Sequence, residues 1–344
     1  MRALPCRLLA AVFLIGLCLL NGPVRAAALE QPRLTLAVGG KGLFYYLPLT
    51  IAERRGYFRD EGLELDIVDF PGGAKSLQAV VGGSAEFAAG SFEHLLRLQA
   101  KGQPLRAVAL LARYPAMVLA LSNSAAASYH DWPDLKGKKI GVTAPGSSTH
   151  LFLNRVLSLH GLAPDDVAVI GVGATANAVG ALRRGDIDGL VHLDPVIHAL
   201  EVANEIRILV DTRTEEGARA VYGGAYHASC LYAKAEFLDT HPNTVQALVN
   251  GQVRALRWLA KASLDEIVAT VPEAYYGGDR AAYAAALAKN RAILSPDGRL
   301  DDAGARHVLQ ALEALEPALA AAHLDIGAAM DNRYVERVPP AAGE

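Results

Sequence analysis

Residues 77–87 read LQAVVGGSAEF, and residues 179–189 read VGALRRGDIDG. Aligned, they place Gly83 on Gly185, and an acid follows three residues later in each (Glu86, Asp188). Both run at helical spacing into a glycine, then a polar turn, then a short apolar stretch. Upstream, Leu34–Val38 aligns with Lys138–Val142 at nearly the same offset, and each is followed by a helix-like segment ending in Gly-Leu. A strand-loop-helix plan that recurs after about a hundred residues predicts two similar lobes. Strands alternating with helices predict parallel sheets with helices on their faces, so the fold class is α/β.

Within the first copy, LELDIVDF (63–70) alternates as a strand does, and LTLAV (34–38) is a short apolar strand. After Asp211 the pattern changes. YGGAYHASCLYA (222–233) reads as a strand returning to the first lobe, and mostly helices follow. PNTVQALVNGQVRALRWLAKA carries an apolar stripe at 245, 248, 249, 253, 256 and 259, which predicts a core-facing helix. DDAGARHVLQALEAL (301–315) is another, with Asp301 or Asp302 as its cap. The chain thus divides into residues 29–118 and 225–335 for lobe 1, 119–224 for lobe 2, and a disordered tail at 336–344.

The N-terminus carries Arg2 and Arg7, an apolar run from Leu8 to Leu20, and VRAAA. A basic start, a short apolar core and small residues at the end predict a cleaved secretory leader over 1–28, cut after Ala26 or Ala28. The run is shorter than the ~20 residues a bilayer span needs. Leu17 before Cys18 argues against a lipid anchor. The 33 basic and 36 acidic residues give a net charge of −3, and loss of Arg2, Arg7 and Arg25 makes it −6. That balance excludes nucleic acid as a partner, which needs a basic face. Only Cys230 remains after cleavage, so no intrachain disulfide is expected.

No catalytic set assembles from the motifs. Ser91 lacks a G-x-S-x-G elbow, the loop GGKGLF lacks the third glycine of a dinucleotide fingerprint, and no metal-ligand spacing is present. PGGAKS (71–76) resembles a nucleotide phosphate loop, but Ala74 and Asp69 stand where that loop needs glycines. No cofactor or metal is expected.

Loops at the carboxyl ends of the strands do assemble, and open α/β sheets bind ligands there. They are GGKGLFYY (39–46), FPGGAK (70–75), AAGSFE (88–93), ARYP (112–115), TAPGSSTH (143–150), GVGATAN (171–177) and HLDP (192–195). Candidate ligand contacts on them are Gly42, Phe44, Tyr45, Gly73, Ala74, Ser91, Phe92, Glu93, Arg113, Ser147, Ser148, Thr149, Asn177 and Asp194, with His227 from the returning segment. The three hydroxyls of TAPGSSTH fall where a helix begins, a position suited to an anion or to capping that helix. Arg113 suits a carboxylate, sulfonate or phosphate, or an exposed surface. Glu93 and Asp194 each fit two roles, accepting from a ligand N–H or pairing with an arginine.

GLFYYLPLTIAERRGYFRDEGLELDIVDFPGGAKSLQAVVGGSAEF, DLKGKKIGVTAPGSS and RRGDIDGLVHLDP together resemble the periplasmic substrate-binding proteins for nitrate, sulfonate and taurine. The likeness covers about 33–335. It implies a two-lobed, type II-like Venus flytrap that closes on a small anionic organic ligand. It also implies a monomer that docks on the permease of an ABC importer. Glu86 departs from the usual aspartate, and GGKGLFYY is more aromatic than small-anion members need. Thiamine-pyrimidine synthases share the fold family, but the export signal and the single mature cysteine lead to the expectation that this chain is not an enzyme.

Overall fold

The computed structural model describes residues 28–340; residues 1–27, on which the expected leader falls, and residues 341–344 lie outside the described residues. Ten strands form two sheets. They are β1 (Arg33–Gly39), β2 (Glu64–Phe70), β3 (Phe87–Ser91), β4 (Leu105–Leu110), β5 (Val118–Ser122), β6 (Lys139–Val142), β7 (Ala168–Gly171), β8 (Gly189–His192), β9 (Ile206–Asp211) and β10 (Ser229–Lys234). The first sheet runs β2-β1-β3-β10-β4 and the second β7-β6-β8-β5-β9. The two orders superimpose when each sheet's fourth strand is exchanged between the lobes. Those two strands, β10 and β5, are antiparallel to both neighbours, whereas β1 and β6 pair in parallel with theirs. Each is the first strand after a crossing, so the chain enters each sheet against its grain.

The repeated acid has a structural task. In lobe 1 the Glu86 carboxylate accepts from Thr35 N at 2.8 Å, and in lobe 2 Asp188 accepts from Lys139 N at 2.7 Å. Each acid's own N–H donates back to the same strand, to the Thr35 and Lys139 carbonyls. The acid therefore clamps the turn onto the start of β1 or β6. Glutamate reaches as well as aspartate, which accounts for the departure at 86. Gly83 and Gly185, at φ 78° and 73°, supply the left-handed turn before each clamp.

The crossings, 111–117 and 212–228, bind each other. Thr212 N and its hydroxyl both donate to the Met117 carbonyl (2.9 and 2.8 Å), and Met117 N donates to Thr212 Oγ1 at 3.0 Å. The C-terminal helices pack on lobe 1. Helix Pro242–Lys261 buries Val245, Leu248, Val249, Val253, Leu256 and Leu259 to 1% exposure or less, each burial worth roughly 1.5–3 kcal/mol. Gly251 lies against Phe58, where a Cβ would come within 2.7 Å of the ring. Asp301, rather than Asp302, caps helix Asp302–Leu315 through Gly304 N. The disordered-tail expectation fails over 336–340: Val338 is buried, and the Pro339 carbonyl accepts from Arg257.

Candidate ligand site

The strand-end loops of the two lobes face each other and touch. Ala74 N donates to Ser147 Oγ at 2.9 Å, and Phe44 N donates to the Asp194 carbonyl at 3.2 Å. A Cβ on Gly40 (φ 97°) would sit 2.4 Å from that of Ala174, and one on Gly72 would meet Ala144 and Ser147 at 3.0–3.2 Å. Only bare backbone permits this approach. The lobes are closed.

Beside this seam lies a buried polar cluster at the end of β3. Ser91 closes the strand, and Glu93 and His94 open helix Glu93–Gln99. Glu93 Oε2 accepts from Tyr226 Oη at 2.6 Å, while Oε1 has no partner among the described residues. Burial pushes this carboxyl up to about 7, against the pull of the Tyr226 hydrogen bond and Arg97. Near neutral pH it can therefore donate one hydrogen bond or accept several. Neither nitrogen of His94 has a hydrogen-bond partner among the described residues, and burial, with Arg97 adding to it, brings the ring down to about 4. The ring faces the PGG loop: a Cβ on Gly73 would lie 3.4 Å from its Cε1.

Aromatic groups frame the acid. Tyr45 Oη lies 3.2 Å from Ser91 Oγ, and Ser229 Oγ donates to the Tyr45 carbonyl. Tyr222 lies against Tyr226 with ring centroids 4.0 Å apart and planes tilted by 34°, and Phe92 meets His227 edge-on at 5.3 Å. Burial, reinforced by Glu93, pushes the hydroxyls of Tyr45, Tyr222 and Tyr226 well up, so all three remain O–H groups. His227 accepts from Asp301 N through Nε2, and its Nδ1 has no partner. Buried polar atoms without partners are rare in folded proteins, and here they gather where two lobes close.

Of the residues singled out in the sequence, Tyr45, Ser91, Phe92, Glu93 and His227 meet in this cluster, with Gly73, Ala74 and Ser147 on the adjoining seam. The three hydroxyls divide. None caps its helix: Ser147 is the N-cap residue, yet its oxygen serves Ala74 of the other lobe. Thr149 Oγ1 accepts from Thr143 N and bonds Thr143 Oγ1 at 2.9 Å, and Ser148 is half-buried with no side-chain hydrogen bond among the described residues.

Five of the expected contacts lie outside this cluster. Arg113 is exposed, donates to the Ala292 carbonyl and lies over Tyr114, which fits its surface reading and not a pair with Glu93. Asn177 is exposed on helix Ala176–Arg183. Asp194 takes the second of its two expected roles: Oδ2 pairs with Arg213 at 3.2 Å and accepts from Asn290, while Oδ1 accepts from His198 N. Phe44 packs edge-on against Tyr283 at 4.8 Å, in the core. Gly42 lies by Tyr275, away from the cluster. Sequence reasoning missed His94, Tyr222 and Tyr226. The one signal for His94 was its place beside Glu93 at a helix start.

A two-lobed α/β chain closed over polar groups at its strand ends has the architecture of the periplasmic binding proteins. The chain belongs to the NMT1/THI5-like family, whose model matches residues 44–262. A solved structure from Bordetella bronchiseptica RB50 is 51% identical, with a TM-score of 0.88 over 90% of this chain and 98% of that one. The alkanesulfonate-binding protein SsuA from Xanthomonas axonopodis pv. citri, bound to MOPS, shares the fold at 21% identity, with a TM-score of 0.66 over 89% of this chain and 100% of that one. Among curated relatives, the 4-amino-5-hydroxymethyl-2-methylpyrimidine phosphate synthase of Schizosaccharomyces pombe is 27% identical over 68% of this chain and 65% of its own length. That of Aspergillus parasiticus is 28% identical over 61% and 62%. The chain thus spans less than two thirds of these relatives. They carry an enzyme's name, which overturns the expectation of a chain apart from enzymes; neither a leader nor a cysteine count excludes such kinship.

Proposed function

We propose that this chain is an exported solute-binding protein that closes its lobes on a small heteroaromatic molecule and presents it to the permease of an ABC importer. The observation that carries the reading is Glu93: a buried carboxyl, one oxygen unpartnered, beside an unpartnered His94 at the lobe seam. A carboxyl that switches near neutral pH suits a ring edge bearing adjacent N–H donors and nitrogen acceptors. Tyr45, Tyr222 and Tyr226 supply flat walls and fixed O–H donors. An acidic substituent, where the ligand has one, falls to Ser147 and the start of helix Ser148–Leu159, whose dipole favours negative charge. The fold of the sulfonate-binding neighbours supports the capture role, and the names of the curated relatives support an aminopyrimidine ring.

A thermal-shift screen over aminopyrimidines, aromatic acids, aliphatic sulfonates and nitrate tests this. A ligand at a hundred times its Kd stabilises by about 2.7 kcal/mol, a readily seen shift. We expect 4-amino-5-hydroxymethyl-2-methylpyrimidine or a close analogue to give it. Stabilisation by nitrate or aliphatic sulfonates alone would contradict the reading. Mass analysis of the recovered ligand reports whether the protein also converts it.

A further inference from the structure

Away from Glu93, a cavity of about 580 Å³ opens on the loop after β1 and reaches both lobes. Tyr275, Tyr276 and Tyr283 of the C-terminal part of lobe 1 form one wall, and the helix Val196–Val202 of lobe 2 brings His198 to another. Two lining groups are buried and unpartnered. Among the described residues, Tyr283 is 3% exposed with no hydrogen-bond partner for its hydroxyl, and His198 is 6% exposed with none for either nitrogen, Nδ1 lying 3.8 Å from Glu201. Leaving such groups dry costs roughly 1–3 kcal/mol each. The charge of the lining is one-sided: it includes the carboxylates of Asp69 and Asp279 and no lysine or arginine. Each acid spends Oδ1 on backbone N–H groups, Asp69 on Gly40 and Lys41 and Asp279 on Ala282.

We propose that this cavity is a second ligand site, distinct from the Glu93 cluster, and that it takes a small aromatic amine. The ring lies against the three tyrosines. The ammonium donates to the Tyr283 oxygen and to the acceptor nitrogen of His198, within the field of the two carboxylates. Aromatic faces and acids together favour a cation over an anion of the same shape. Because the walls belong to both lobes, an occupant favours the closed form and so tightens binding at the first site by the same factor that the first ligand tightens the second.

Tyramine and 4-hydroxyphenylacetate share one ring and carry opposite charge, which makes them the probes for calorimetric titration. Tyramine is expected to bind and the acid not to. Tyr283→Phe keeps the ring and its contact with Phe44, His198→Leu keeps the bulk, and Val179→Trp fills the cavity without touching the polar groups. Each is expected to weaken tyramine at least ten-fold while the protein still unfolds cooperatively, and Glu93→Gln leaves tyramine binding as in the parent. Failure of tyramine to bind, equal binding of the acid, or tyramine binding indifferent to all three cavity variants would overturn the proposal. Loss of tyramine binding in Glu93→Gln would place the amine in the first site and overturn it equally.

Discussion

Replacing Glu93 by glutamine removes one titrating carboxyl from the seam, and its effect on stability follows from the carboxyl's position. Folded, the group titrates at about 7; in an unfolded chain a glutamate titrates at about 4.3. Between those values the folded state holds a proton that the unfolded state has released, so stability falls as pH rises through the window. Each pH unit is worth about 1.4 kcal/mol, which makes the whole fall about 4 kcal/mol, complete above pH 7 and absent below about 4. His94, brought down to about 4, contributes in the opposite direction over much of the same range, so the parent's own curve hides the effect. The difference between parent and Glu93→Gln isolates it. The amide keeps an acceptor for Tyr226, and any cost of its buried NH₂ is a constant offset that does not vary with pH. Urea unfolding of both proteins from pH 4.5 to 8 should show the parent losing about 3 kcal/mol relative to the variant. Parallel curves would refute the account of Glu93 as a buried, switching acid.

The hydroxyls at the start of helix Ser148–Leu159 should separate by role: Ser147→Ala weakens ligand binding about ten-fold with little change in the unliganded melting point, because its partner Ala74 N belongs to the other lobe. Thr149→Ala instead lowers stability by about 1 kcal/mol through its bonds to Thr143, and Ser148→Ala changes neither, all read by titration and calorimetry. Glu86→Ala and Asp188→Ala should each cost roughly 1.5–3 kcal/mol by loss of a charged hydrogen bond to a strand N–H, with Glu86→Gln costing less, measured by urea unfolding.

Much of the fold was legible because it repeats locally. The glycine turn and its acid, 102 residues apart in the two copies, mark the point where each helix hands over to a central strand, and the structure puts both in the same place. The stripe in helix Pro242–Lys261 was readable for the same reason, since its spacing alone decides which face is buried. The cluster was legible only in part. Glu93 stood out as an acid at a strand end, but its partner Tyr226 is 133 residues away, and only the return of β10 beside β3 brings the two together. Arg113 illustrates the reverse case. Its sequence neighbourhood is apolar, yet the Arg113 peptide and side chain are tied to Ile293 and Ala292 of the C-terminal part, which turns the guanidinium outward. For Asp194 the sequence left two roles open, because its partners Arg213 and Asn290 also come from distant segments. Contacts between lobes are set by the crossings, and no local pattern encodes them.

Isothermal titration of parent and Glu93→Gln with 4-amino-5-hydroxymethyl-2-methylpyrimidine tests the central claim most directly. The account predicts saturable binding to the parent and at least a ten-fold weaker Kd in the variant, a loss of about 1.4 kcal/mol. Equal affinity in the two proteins, or no binding to a folded parent that binds an aliphatic sulfonate instead, would contradict it.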